Sequence, residues 1–191
     1  MTPYYPAFLD LRNRACLVVG TGKLCDEKAA ALEGAGACVR RSAHFDPAEA
    51  SRACLIVADV DPKEAAMIRT FGEERRVFVN IVDKPDFCSF ILPAVLHRGD
   101  LQIAVSTAGS SPALAGWIRR RLEALFGSEY AVLLGELRRT RQDIRRRLSL
   151  YADRKAFYRR LFDDGILEEA RTGGTEAVRL RLEREIEEFR A

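Results

Sequence analysis

From residue 15 onward, short apolar runs alternate with segments of helical period. Residues 15–19 (ACLVV), 37–42, 54–58 and 77–81 read as strands, and 24–35 and 62–71 read as helices between them. That alternation predicts a parallel sheet with helical crossovers, the α/β pattern. Residues 101–106 (LQIAVS) read as a further strand, entered through a turn at Arg98-Gly99-Asp100. Beyond Ser111 the period becomes helical throughout. Residues 112–126 carry Pro112 in the first turn, a Ser-Ser pair ahead of it for capping, and apolar side chains at 114, 117, 118, 122 and 125. Helical periods continue through 129–150 and 153–162, pause at the Gly-rich stretch 171–175, and resume over 176–189. An α/β part and a helical part therefore meet near residues 97–111, with no low-complexity linker and no internal repeat.

The stripe Trp117, Ile118 and Leu122, beside Arg119 to Arg121, must be covered either by the chain's own α/β part or by a second copy. With 191 residues, 48% of them apolar, the chain is large enough for a packed core. Its longest apolar stretch, 87–96, is broken by Ser89 and Pro93 and falls far short of the roughly 20 residues that cross a bilayer. The first eleven residues lack a basic segment followed by an apolar one, so the expectation is a cytoplasmic protein. Five cysteines, odd in number and without a C-x-x-C pair, read as buried thiols, and the isolated His44 and His97 predict no metal site. Net charge is +3; residues 1–110 carry 13 basic and 14 acidic groups, residues 111–191 carry 18 and 14. So mixed a surface argues against nucleic acid, whereas local arginine clusters suit a polycarboxylate or phosphate ligand.

One motif carries chemistry of its own. The run Cys16-Leu-Val-Val-Gly-Thr-Gly-Lys-Leu-Cys25 is a buried strand, then Gly20-Thr21-Gly22-Lys23-Leu24, then a helix. Gly20 permits a tight turn, Gly22 lets backbone approach a pyrophosphate, and the amides that open the helix offer it positive partial charge. Cys25 stands at the third small position. The acidic residue expected at the end of the second strand is missing, since Val39 is followed by Arg40-Arg41, so NAD against NADP stays open.

Three segments together resemble one family, the precorrin-2 dehydrogenases, which also form the N-terminal part of siroheme synthase. They are Tyr5-Pro-Ala-Phe-Leu-Asp-Leu-Arg-Asn-Arg14 leading into the glycine loop, Val79-Asn-Ile-Val-Asp-Lys-Pro-Asp-Phe-Cys-Ser-Phe-Ile-Leu-Pro-Ala94, and Ile103-Ala-Val-Ser-Thr-Ala-Gly-Ser-Ser-Pro-Ala-Leu-Ala115. The resemblance covers roughly residues 5–125 and implies a Rossmann-like NAD-binding domain over 1–97, a dimerisation segment over 98–127 and a small all-helical C-terminal domain over 128–191. It implies oxidation of the octacarboxylate precorrin-2 to sirohydrochlorin by a homodimer, and in some members insertion of ferrous iron or cobalt into the product. It further places Asp59 and Val60 beside the cofactor. The chain departs from the family where Glu27 replaces an arginine of the loop helix and where Asp59 adds a carboxylate, both of which would weaken cofactor binding.

Asp83 follows the strand at 77–81 at its carboxyl end, where ligands bind in open α/β sheets. In the family the matching aspartate is the catalytic residue, and burial beside Phe87 and Phe90 would raise its pKa toward a base's working range. Read without the family, Asp83-Lys-Pro-Asp is a turn composition. Asn80, at the same strand end, and Ser110 and Ser111, ahead of Pro112, complete the expected substrate contacts; Asn80 also suits a bond to loop backbone, and either serine suits a helix cap. Two other readings remain: a chelatase without the dehydrogenase step, and a nucleotide-sensing module without catalysis.

Overall fold

The computed structural model describes residues 4–190. Strands β1 (Ala15–Val19), β2 (Cys38–Ser42), β3 (Leu55–Ala58) and β4 (Phe78–Ile81) form one parallel sheet in the order β2-β1-β3-β4. Because β1, β3 and β4 present apolar side chains on both faces, helices must cover both. Leu17 and Val19 join Ile56, Ala58, Val79 and Ile81 against Ala65, Ile68 and Phe71 of α3 (Pro62–Arg75), with Ala50 of the short α2 (Pro47–Ala50). On the other face Val18 packs with Cys25 and Ala29 of α1 (Lys23–Gly34), and Cys16 with Leu55 and Val57. The chain leaves β1 for β2 on one side and then crosses to β3 on the other. The strand order therefore reverses between β1 and β3, the position where a crevice opens at the carboxyl ends of such a sheet.

Local chemistry starts and stops these helices. Asp61 caps α3 by accepting the amides of Lys63 (2.8 Å) and Glu64 (3.0 Å), which holds its carboxyl below the usual range, and Pro62 sits in the first turn where no amide is missed. Of the cysteines expected to be buried, Cys16 and Cys25 are; Cys38 is exposed on β2, and Cys54 and Cys88 are half-buried. Edge strands and loop positions simply lack a covering element there.

The chain divides into two compact units. One ends at Leu92 and takes in Ala108–Ser110; the other comprises Pro93–Thr107 and the chain from Ser111 onward. The first is the Rossmann-like α/β unit. The second opens with an antiparallel hairpin, β5 (Ala94–Arg98) and β6 (Leu101–Val105), joined at Gly99 with φ 57°. The sequence reading finds β6 and its turn but leaves β5 inside the apolar stretch 87–96. Helices α4 (Pro112–Leu125), α5 (Glu129–Arg147), α6 (Tyr151–Leu161) and α7 (Asp164–Arg190) follow, and Gly174 (φ 61°, ψ −150°) breaks α7 where the glycine-rich pause is expected. α5, α6 and α7 share a core built from Leu133, Ile144, Phe157, Leu161, Ile166 and Leu182, with each such side chain contributing about 1.5–3 kcal/mol on burial. Among the described residues no helix is long and apolar enough to cross a membrane.

Candidate functional site

The α/β unit gathers the candidate cofactor residues at the carboxyl edge of its sheet. Gly20, directly after β1, has φ 113°, and a Cβ there would lie 2.4 Å from the carbonyl oxygen of Asp59, the residue that follows β3. The amide of Gly20 donates to Ser42 O and that of Asp59 to Val19 O, both at 2.9 Å, so the ends of β2, β1 and β3 are bonded into one rim. Thr21 is exposed on the turn. Gly22 (φ 95°, ψ 177°) opens α1 without a side-chain cap, and a Cβ there would meet nothing within 4 Å. First-turn amides of a helix have no partner inside the helix, so those after Gly22, from Lys23 and Leu24, stand at an open approach. This is the cradle a pyrophosphate needs, and the residues present fit it.

Cys25 takes the third small position as the sequence implied. Its Sγ lies 3.7 Å from Val19 O and packs under the turn, and burial pushes its thiol up. Glu27, standing where the family has an arginine, pairs with Lys23 at 3.8 Å on the exposed face of α1. The two arginines after Val39 are also engaged, Arg40 with Glu49 and Arg41 with Asp26 (2.8 Å) and Glu33 (3.9 Å).

Two strand spacings from β1, about 10 Å, lies the turn after β4. Asp83 sits there with φ 55°, a left-handed conformation that aspartate tolerates in turns. Asp83 is exposed, two residues beyond the buried Ile81. The expectation of a carboxylate buried between Phe87 and Phe90 is therefore corrected: Phe87 packs into the α3 face of the core and Phe90 into the α1 face, so the two rings part rather than wall in a shared pocket.

The loop after Asp83 folds back on β4. Val79 donates to Ser89 Oγ and accepts from Ser89 N, each at 2.8 Å; Ile81 N donates to Cys88 Sγ at 3.1 Å; Asn80 Nδ2 donates to Phe90 O at 3.0 Å. Asn80 thus spends its amide on loop backbone. Lys84 Nζ donates to Val60 O at 2.9 Å and ties the turn carrying Asp83 to the turn after β3. Sequence reasoning missed Lys84, Cys88 and Ser89; the signal available was their place in the segment that carries the family resemblance.

Ser111 caps α4, its Oγ accepting from Leu114 N at 3.2 Å, while Thr107 Oγ1 brackets it by accepting from Ser111 N (3.1 Å) and donating to Ser111 O (3.0 Å). Ala108 (φ 52°) and Gly109 (φ 85°) make this turn, and Ser110 is exposed on it. The structure thus brings Gly20, Thr21, Gly22, Lys23, Leu24, Asp59, Val60, Asn80 and Asp83 to one sheet edge; Ser110 belongs to the same unit as that sheet, and Ser111 to the other unit. His97 is exposed on β5, and among the described residues no cluster of histidine, cysteine and carboxylate could hold a metal ion.

Residues 40–94 match the family model described as putative NAD(P)-binding, 98–125 the sirohaem biosynthesis protein central region, and 129–186 the sirohaem synthase dimerisation region. The chain is 33% identical to the siroheme synthase of Methylobacillus flagellatus over 196 residues, covering 91% of this chain and 42% of that protein. It is 33% identical to that of Thiobacillus denitrificans over 211 residues, covering 98% and 44%. The chain thus spans less than half the length of these curated relatives. A solved structure titled SirC, precorrin-2 dehydrogenase, superposes with a TM-score of 0.71 at 19% identity, over 95% of this chain and 100% of that one, a likeness of fold.

Proposed function

This chain belongs to the siroheme synthase family, and from that premise we propose that it is an NAD-dependent precorrin-2 dehydrogenase, oxidising precorrin-2 to sirohydrochlorin as a homodimer. The observation that carries the reading is the open glycine turn at the strand-order reversal, on the same sheet edge as the turn bearing Asp83.

In this reading the amides after Gly22 would hold the cofactor's pyrophosphate, with Asp59 and Val60 bordering it, and the bound nicotinamide would supply the hydride acceptor. Asp83 receives a proton released from carbon or nitrogen of the macrocycle, a role that needs a carboxylate accessible to substrate. Its place on an outward turn and the tether of that turn through Lys84 to Val60 support that role. Ser110 and Ser111, at the opening of α4, offer hydroxyls to a substrate carboxylate. NAD is preferred over NADP because Arg40 and Arg41 are occupied by carboxylates, leaving the 2′-phosphate without a ready cation. The exposed Leu114, Trp117 and Leu125 of α4, 46%, 47% and 68% accessible, support self-association alongside the matched dimerisation region.

The test is anaerobic incubation of the purified protein with precorrin-2 and NAD, following reduced nicotinamide and the sirohydrochlorin spectrum. Asp83→Asn should cut kcat by about 10²–10⁴-fold while NAD affinity stays within about twofold. Turnover by the variant at the wild-type rate removes Asp83 from the mechanism, and no turnover by the wild type removes the proposal. Ferrous iron added after turnover asks whether the product is carried on to sirohaem.

A further inference from the structure

The helical unit holds most of its arginines in ion pairs. Among the described residues ten of them lie within 4.0 Å of a carboxylate oxygen, Arg181 serving Asp163, Glu169 and Glu185 at once. Four other cations break the pattern together. Arg141 and Arg145 on α5, and Lys155 and Arg159 on α6, make no hydrogen bond and no ion pair among the described residues, and all four line one open groove of about 460 Å³. Among the described residues no acidic side chain lines it.

Each pair is spaced i,i+4 on its helix, so like charges stand one above the other at a cost of about 0.2–0.5 kcal/mol per pair. Opposite charges take that spacing in Arg119–Glu123 and Asp143–Arg147, whereas both of these cation pairs face one groove.

Aromatic rings complete the lining. Tyr158 and Phe162 stack with centroids 5.7 Å apart and planes inclined by 16°, giving a flat ledge, and Phe162 is 54% exposed. Burial pushes the Tyr158 hydroxyl up, while the charges of Arg141, Arg154 and Arg145 pull it down. Arg154 fixes the groove's floor, its Nη1 donating to Leu148 O at 2.8 Å and also reaching Ser149 O, and its guanidinium lies 6.0 Å from the Tyr151 ring.

We propose that this groove binds a planar polycarboxylate, its ring face against the Tyr158–Phe162 ledge and its carboxylates on Arg141, Arg145, Lys155 and Arg159. Arginine forks match carboxylate geometry, and aromatic faces accept a flat ring. A single-stranded nucleic acid would instead want a track of successive stacking positions, and the groove is one ledge on one helix pair. Naming a tetrapyrrole as the ligand rests on the dehydrogenase reading; the groove's demand for a polyanion does not. The site is a docking place for substrate or product on the helical unit.

The probe is uroporphyrin I, a planar octacarboxylate, titrated calorimetrically into the full chain. The groove variant Arg145→Gln/Lys155→Gln/Arg159→Gln should lose one bound uroporphyrin per chain with its thermal midpoint unchanged or raised, since repulsion is relieved. The control Arg138→Gln/Arg146→Gln/Arg147→Gln removes the same charge elsewhere on α5 and should lose none. Equal loss in both variants overturns the proposal, as does tighter binding of an oligothymidylate than of uroporphyrin at the same salt. Dissociation of a dimer by the groove variant in sedimentation also overturns it, by showing that a second copy covers the groove. Precorrin-2 turnover is scored separately. No turnover with groove-dependent uroporphyrin binding removes the dehydrogenase reading and keeps the site; turnover with unchanged binding by the groove variant removes the site and keeps the reading.

Discussion

Gly20→Ala and Gly22→Ala, two neighbouring substitutions of the same chemistry, should fail in different ways. At Gly22 the backbone (φ 95°, ψ 177°) lies in a region essentially reserved for glycine, so alanine costs about 1–3 kcal/mol in strain, yet its Cβ meets nothing within 4 Å. At Gly20 a comparable strain at φ 113° is joined by a Cβ 2.4 Å from the Asp59 carbonyl oxygen and 3.1 Å from Cys25 Sγ. That overlap must push β1 and β3 apart where Asp59 N donates to Val19 O, adding about 1–3 kcal/mol of overpacking. Gly20→Ala should therefore lower stability by about 2–6 kcal/mol in urea unfolding, enough to threaten the α/β unit. Gly22→Ala should leave a folded protein whose new methyl occupies the pyrophosphate's approach, weakening NAD at least about tenfold in a fluorescence titration. If folded Gly22→Ala binds NAD as the wild type does, the turn is no phosphate cradle. If Gly20→Ala unfolds at the wild-type midpoint, the close approach to Asp59 is wrong.

Ser89→Ala strands the Val79 amide on the outer side of β4 and should cost about 1–3 kcal/mol of stability, measured by the guanidinium midpoint; a loss under about 0.5 kcal/mol contradicts that bond. Burial pushes the Cys16 thiol up from 9.0 to about 12, so the folded state favours its protonated form. Stability from this group is complete below about pH 9 and drains away as pH rises toward about 12, and iodoacetamide at pH 8 should modify the exposed Cys38 but leave Cys16 intact until the protein unfolds. Arg181→Met removes one partner of the buried Glu185, whose remaining cation is Arg160 at 2.7 Å, and should destabilise the helical unit by about 3–5 kcal/mol. A chemical-denaturation loss below about 1 kcal/mol would show that Arg160 suffices alone.

How far the sequence could be read depended on whether a feature was local. The run from Cys16 to Cys25 declares itself because an uninterrupted apolar strand, two spaced glycines and a helical period all lie within ten residues. The pause at Gly174 and the cap at Ser111 are local too, and both stand where the pattern puts them. β5 escaped because Ala94–Arg98 prolongs an apolar stretch and is defined by its antiparallel partner β6, a pairing no period reveals. α2 escaped because four residues carry no period. At Asp83 the pattern gives the strand end and the turn but not the surroundings of the side chain; those are set by a left-handed backbone and by Phe87 and Phe90 entering opposite faces of the sheet. Lys84, Cys88 and Ser89 act on backbone groups of distant residues, so their types alone say nothing of their work.

The two rims of the parallel sheet are blunted by unrelated devices. β4 has the polar groups of Val79 and Ile81 already taken by Ser89 and Cys88, and β2 carries Arg40 and Arg41, each held by acids of its neighbours. A strand from another molecule meets satisfied groups on one side and charge on the other, the two conditions that discourage cross-β growth. Concentrated solutions of this protein should therefore self-associate through helical surfaces and stay free of fibrils, even though the sheet's core strands are as apolar as those of many aggregating segments.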